Sequence, residues 1–303
     1  MQREKPQQDV CAAPSIHRQI LVLDVISDDV ANFRLHLKKF PDLVQQLKSR
    51  FSEAQLSVVF AVGHRYWGIL CDSEIPAPTL EVPEHSEYPF PSSHADLAIV
   101  VKSDRPDACY FAAQVLLQWL AAYTQMQREL QSFRYLDGRN LFGFIDIPEK
   151  DSAVSRYQKA LGYSPQNPEQ TLQEAHVGYT YMWIAQMMPD LKRWELLSSE
   201  VQREVMGIDK LNGAPWPTSS QSHHEVLSQH SDLILRDPMP MFSMRTSAEV
   251  WVDYSADAQS FQARLNALTS STSQAEADPL MDYLSCTFSS VFVVPSLDWF
   301  SAV

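Results

Sequence analysis

Glycine is scarce in this chain, at 8 of 303 residues, where average usage is about 7%. Neither a GxGxxG run nor a GxxxxGK[ST] run occurs, so neither kind of nucleotide-phosphate cradle has support. Long apolar runs are also missing. No stretch approaches the roughly 18 consecutive apolar residues of a membrane-spanning helix. The polar start Met1-Gln2-Arg3-Glu4-Lys5-Pro6 leads into no apolar signal core, so neither a membrane span nor a secretory leader is expected. Positive charge is outnumbered, with 24 Lys and Arg against 37 Asp and Glu and a net charge of -13. That balance argues against a nucleic-acid groove and against an anionic membrane surface. Cysteine is limited to Cys11, Cys71, Cys109 and Cys286, far apart and without a CxxC pair. They read as reduced structural thiols of a cytoplasmic protein and not as zinc ligands. Nine histidines occur, but no HExxH and no GxSxG, so a zinc hydrolase and a serine hydrolase both lack an anchor.

What is present is enough apolar material for sizeable cores, 45% hydrophobic and 11% aromatic, in a length that allows two domains or one large one. After a loose tail over residues 1–15, His17 to Ile26 reads as a strand. Val30 to Phe51 has helical spacing, kinked or split at Pro41. Leu56 to Val62 reads as a buried strand, and 72–94 as a long proline-rich loop. Ala95 to Lys102 is a third strand, residues 104 to about 123 a capped helix, and a fourth strand lies within 125–136. The order β-α-β-β-α-β is that of a ferredoxin-like unit, an antiparallel sheet with helices on one face.

After a polar connection over 148–174 the pattern recurs. His176 to Met188 alternates as a strand, and Trp194 to Met206 reads as a helix. A Pro/Ser-rich loop over 211–222 follows, then a short apolar segment at 233–236. Ala248 to Tyr254 is a strand, Ala258 to Leu268 a helix, 278–284 a short helical segment and 290–294 a last strand. The fold class is therefore α+β, with two ferredoxin-like halves at 16–146 and 147–303.

Three places carry candidate chemistry. Asp146 ends the run Asn140-Leu141-Phe142-Gly143-Phe144-Ile145-Asp146. It reads either as an ordinary turn residue before Pro148 or as a partly desolvated carboxylate whose raised pKa suits a proton acceptor. Ser222-His223-His224-Glu225 concentrates histidine in a Ser-rich loop, which on its own reads as solvated surface. Arg236 follows three apolar residues and precedes a proline-stiffened loop. A buried arginine there needs an anion, with Asp232 or Asp237 the nearest in sequence.

Taken in order, these landmarks resemble the dye-decolourising (DyP-type) peroxidases, heme enzymes with a duplicated ferredoxin-like fold. Phe133-Arg134 and Arg139 through Asp146 are similar to the stretch leading into that family's GxxDG motif. Ser222-His223 is similar to its proximal-ligand segment, and Ile234-Leu235-Arg236-Asp237 with Met239-Pro240 to its distal-arginine segment. Pro295-Ser296-Leu297-Asp298 resembles its closing turn. The resemblance implies an oxidoreductase that binds heme b, with His223 as proximal iron ligand and Asp278 as the acidic partner of its other nitrogen. Lys210, in the stretch Gly207-Ile208-Asp209-Lys210, joins the implied cofactor-binding residues. Asp146 and Arg236 are the implied distal pair, one moving the peroxide proton and the other stabilising charge as the O–O bond breaks. The implied partners are hydrogen peroxide and a small aromatic reductant, a phenol or a dye, in a homo-oligomer.

The chain departs from that family at the supports of these residues. Ile147 stands where the family has glycine after the aspartate, and Pro148-Glu149-Lys150 replaces a threonine-glutamate-asparagine-proline continuation. Pro238 replaces a polar residue, Met241-Phe242 a Tyr/Phe-Gly pair, and Ile208 an arginine near the heme propionates. Two readings are therefore carried forward. One is a peroxidase with a reshaped pocket. The other is a binding or assembly protein, heme-binding or heme-free, without efficient peroxidase activity.

Overall fold

Period-2 apolar patterning drives the architecture, because a strand sends alternate side chains to opposite faces. The computed structural model describes residues 4–71, 75–84, 86, 88–146, 151–164, 167–171, 178–243, 245–271 and 276–303. The first half runs β1 (His17–Val25), α1 (Val30–Leu37), α2 (Phe40–Arg50), β2 (Ser57–Gly63), α3 (His64–Leu70), β3 (Leu97–Ser103), α4 (Pro106–Leu120) and β4 (Thr124–Phe133). An insertion follows, with α5 (Ala153–Leu161) and the small hairpin β5 (Tyr163–Ser164) and β6 (Asn167–Thr171). The second half has β7 (Thr180–Pro189), α6 (Leu191–Glu195), α7 (Ser199–Met206), α8 (His223–Ser228), β8 (Leu235–Phe242), β9 (Ser247–Ser255), α9 (Gln259–Thr269), β10 (Leu284–Val294) and α10 (Trp299–Ala302).

The order across the main sheet is β4-β1-β3-β2-β10-β7-β9-β8, and the pairings are antiparallel. Each half therefore has the ferredoxin-like order, fourth strand, first, third, second, as the sequence pattern predicts. The halves join where β2 meets β10, at Val62↔Val293 and Gly63↔Phe292. Gly63 is needed there, since a Cβ would sit 1.8 Å from the Ala95 carbonyl oxygen. One face of the sheet packs on itself through Ile20, Val22, Val59, Met182, Val250 and Phe292. The other carries the helices over Leu21, Phe60, Ile99, Trp183, Trp251 and Val293. The two ends of the order, β4 and β8, come against each other, so the sheet closes into a barrel-like shape.

Arg18 spans that closure. It is 1% exposed, and its Nε donates to Ser132 Oγ on β4 at 3.0 Å. Its Nη1 and Nη2 donate to the carbonyls of Asp237 on β8 and Val250 on β9 at 2.6 and 2.7 Å. Lys102 Nζ donates to Asp237 Oδ2 at 3.0 Å. Burial alone would push the Asp237 carboxyl up, but Lys102 and Arg18 hold it below the usual range.

The predicted long helix at 30–51 is split, with Pro41 in the first turn of α2, where its missing N–H costs nothing. Several expectations need correction. The polar connection at 148–174 contains α5 and the β5–β6 hairpin. The loop expected to hold His223 is in part α8, and the proline-stiffened loop after Arg236 is strand β8. Prolines fit β8 because it ends the sheet order, where one side of the strand needs no ladder donors. The last strand starts at Leu284, not 290, after a short 3-10 helix at Pro279–Tyr283. Residues 147–150, which carry the departure at Ile147-Pro148, lie outside the described residues, as does His176, where a strand was expected to begin. No helix among the described residues is long and apolar enough to cross a membrane.

Removing the Arg18 guanidinium leaves Asp237 short of a partner and two buried carbonyls short of a donor. Arg18→Ala is expected to lower unfolding free energy by about 3–5 kcal/mol, the scale for breaking a buried pair on one side. Urea unfolding measures it, and a loss under about 1 kcal/mol would show that the barrel closes without this bridge.

Candidate functional site

The site is assembled from three local structures. The first is the opening of α8. Ser222 caps it, accepting from the Glu225 amide, while the Glu225 carboxylate accepts from the Ser222 amide at 2.9 Å. This reciprocal capping box fixes the backbone just ahead of His223. Gly207 ends α7 with φ +72°, and a Cβ there would lie 2.3 Å from Ser222 Oγ, so only glycine lets α7 close on this cap. His223 is buried, and its Nδ1 lies 2.6 Å from Oδ2 of Asp278, which is itself fully buried. Asp278 Oδ1 accepts from the Leu280 amide at 2.9 Å. With the carboxylate as acceptor, Nδ1 carries the proton and Nε2 keeps a free lone pair.

The second structure is the loop over 137–146. The Asn140 side chain accepts from the Phe144 amide at 3.0 Å, and the Asp146 amide donates to the Gly138 carbonyl at 2.9 Å. Arg139 Nη1 donates to the carbonyls of Gly143 and Lys210 at 2.8 and 2.5 Å. The Leu141 amide donates to Glu249 Oε1 on β9 at 2.8 Å. Asp146 is thus delivered at the end of a loop tied to itself and to the sheet.

The third structure is β8. Arg236 faces Asp146 in a two-pronged pair, Nη1 to Oδ1 at 3.3 Å and Nη2 to Oδ2 at 3.2 Å. Each side chain is 21% exposed. Burial pushes the Asp146 carboxyl up, as expected from its apolar surroundings. The charge of Arg236 outweighs it, helped by His223, by the hydrogen bonds to Arg236 and by Arg264. The net shift is downward, which corrects the expectation of a raised pKa. Burial disfavours the Arg236 cation, but Asp146, with Asp253 and Glu249, holds its pKa above the usual value. The anion that Arg236 needs is therefore Asp146, while Asp237 points the other way, to Lys102 and Arg18.

His223, Asp146 and Arg236 line one cleft of about 240 Å³ that opens to solvent, with Met206, Ile208, Leu227 and Ile234 among its walls. The structure thus brings His223, Asp278, Asp146 and Arg236 together. It does not bring Lys210 with them. Its Nζ donates to Gln202 Oε1 at 3.1 Å and sits 5.4 Å from the Phe144 ring centre, outside the cleft lining.

Sequence reasoning missed the charges on β9. Glu249, Trp251 and Asp253 share one face of that strand and are all buried. Asp253 pairs with buried Arg264 of α9. Burial pushes the Glu249 carboxyl up to about 7. The Leu141 amide, the Trp251 indole and His223 oppose that shift, and Asp146 adds to it. The signal was legible in Ala248-Glu249-Val250-Trp251-Val252-Asp253-Tyr254, where alternation places both acids beside a tryptophan.

Models of the Dyp-type peroxidase family match both parts of the chain, the N-terminal model over residues 13–134 and the C-terminal model over 137–299. A dye-decolorizing peroxidase of Brevibacterium linens is 26% identical over 97% of this chain and 82% of its own length. A putative dyp-type peroxidase of Shewanella oneidensis superposes with TM-score 0.87 at 22% identity, covering 100% of this chain and 99% of that one. A variant of Rhodococcus jostii RHA1 DypB in complex with heme superposes with TM-score 0.82 at 25% identity over 98% of both chains.

The depressed Asp146 carboxyl contributes stability that is present above the ordinary carboxyl pKa and lost as pH falls through its lower folded value. Arg236→Leu is therefore expected to cost roughly 1–3 kcal/mol at neutral pH, between the exposed and buried limits. Thermal unfolding at neutral pH and at about pH 3 measures this, and a deficit that does not narrow in acid would contradict the assignment.

Proposed function

The chain belongs to the Dyp-type peroxidase family and is a peroxidase; on that premise we propose that it binds heme b through His223 and uses hydrogen peroxide to oxidise a small aromatic reductant, a dye or a phenol. The observation that carries the proposal is one cleft lined by His223 and by the Asp146–Arg236 pair, with Asp278 behind the histidine. The residues present fit the group. An imidazole held at Nδ1 by a buried carboxylate has the orientation and basicity of an iron ligand. The cleft offers Met206, Ile208, Leu227 and Ile234 as apolar wall, and Arg236 Nε is buried without a hydrogen-bond partner among the described residues.

Heme bound there would supply the redox iron at which peroxide is reduced and the aromatic donor oxidised. The protein's own groups manage protons and charge. Asp146, kept ionised in mild acid by Arg236, takes a proton from one peroxide oxygen and returns it to the other, so that the departing oxygen leaves as water. The Arg236 fork stabilises the negative charge that develops on that oxygen as the bond breaks. Asp278 holds the ring of His223 in one orientation. Because Arg236 depresses the Asp146 carboxyl, this base role persists into acid and fails only when Asp146 is protonated.

Purified protein reconstituted with hemin is expected to show a Soret band, and His223→Ala to remove it. Asp278→Asn is expected to weaken heme binding by about 10–100-fold. Asp146→Ala and Arg236→Leu are each expected to lower kcat/KM for peroxide by about 10²–10⁴-fold, with the Soret band kept. No Soret band in the parent protein would overturn the heme assignment. Full dye oxidation by both distal variants would overturn their roles.

A further inference from the structure

Glu249 is a buried carboxyl beside this site that the chemistry above leaves without a task. It is 4% exposed. Its Oε1 accepts from the Leu141 amide at 2.8 Å, and its Oε2 from the Trp251 indole at 3.4 Å. The first contact reaches into the loop that ends at Asp146. A second, small cavity of about 30 Å³ is lined by both Glu249 and Asp146, with Pro238 and Pro240 of β8 and with Arg134 and Arg139. Asp146 and Pro238 also line the large cleft, so the two spaces meet at the distal aspartate.

Resting on the heme-peroxidase reading, we propose that Glu249 is a positioning residue for Asp146: it pins the 140–146 loop to β9, and by losing its proton to the shared cavity it puts a second negative charge beside the distal pair. The charge balance around it is specific. The 140–146 loop presents Asp146 and the Leu141 amide. β8 presents Arg236, which Asp146 already occupies, and two prolines. Beside Glu249 on β9 stand neutral Trp251 and, further along, Asp253, itself paired with Arg264. Met187 faces it from β7. Arg134 and Arg139 line the shared cavity, with Arg139 donating to the Gly143 and Lys210 carbonyls. His223, which lines the large cleft, opposes the upward shift of Glu249. Burial outweighs the contacts that oppose it, so the Glu249 carboxyl stays protonated up to about pH 7.

The consequence is directional. With Glu249 protonated, Asp146 supplies the negative charge that faces Arg236. With Glu249 ionised, a second carboxylate opposes the negative charge that grows on the departing peroxide oxygen. The peroxide step therefore slows above neutrality, while the acid limb belongs to Asp146 alone.

In reconstituted holoenzyme, kcat/KM for peroxide is expected to fall severalfold between about pH 6 and about pH 8.5 and to stay level in Glu249→Gln. The acid limb is expected at the same pH in both. A purely structural Glu249 would lower the whole profile and leave its shape, and that result, or coincident profiles, would overturn the proposal. A second arm needs no heme. Infrared titration of the full chain is expected to show a buried carboxyl with its midpoint near pH 7, moved to lower pH in Asp146→Asn, which removes the neighbouring charge. A midpoint unmoved by Asp146→Asn would overturn the coupling. That arm keeps Glu249 in place, so it decides the matter even where Glu249→Gln does not fold. A missing Soret band with the infrared shift present would fault the heme reading and leave the carboxyl coupling standing.

Discussion

Alternation along β8 ties the closing of the barrel to the building of the cleft. Arg236 leaves one face of the strand and meets Asp146. Asp237 leaves the other and is held by Lys102 and Arg18 in the barrel interior. A slip of one residue would exchange them, placing a cation against Arg18 and a carboxylate in the cleft. Arg18, bonded to the Asp237 and Val250 carbonyls, therefore locks register as well as closure. The same interior contact that holds β1 and β4 against β8 and β9 decides which charge faces the proposed heme site.

Two carboxyls within one distal site are pushed in opposite directions by their neighbours. Asp146 faces a guanidinium fork and is depressed; Glu249 faces an amide and an indole and is raised. Divergence of this kind is how neighbouring acids take different tasks at one pH. Behind them the Asp253–Arg264 pair is buried between α9 and β9. There Arg264 packs 5.6 and 5.3 Å from the ring centres of Trp183 and Trp251, so charge continues into the core with aromatic rather than aqueous surroundings.

The duplicated fold was legible because each half repeats strongly apolar strands with capped helices between them. The order of Asp146, His223 and Arg236 resembles a known family, and the structure brings the three to one cleft. The helical setting of His223 was available in Ser222-His223-His224-Glu225, whose Ser and Glu spacing is that of a capping box. It was masked by the serine-rich surroundings and by a helix of only six residues. β8 was hidden by Pro238 and Pro240, because proline argues against a strand until the strand is known to lie at an edge. Lys210 is a different matter: proximity in sequence to Gly207 says nothing about where a long side chain turns, and here it reaches Gln202 and Phe144.

The same prolines act on the far side of β8. The ladder between β8 and β9 is kept from Leu235 to Phe242, so residues 238 and 240 occupy positions whose N–H groups would point away from β9. Proline has no N–H to offer, and β8 cannot zip to β4 as an ordinary neighbour would. The barrel wall therefore has a slot instead of an eighth ladder. Arg18 bolts the wall from inside, and the cavity shared by Asp146 and Glu249 lies where Pro238, Met239 and Pro240 line the gap. Two residues that only remove donors have thus turned a sheet edge into a vent between the barrel seam and the back of the distal aspartate.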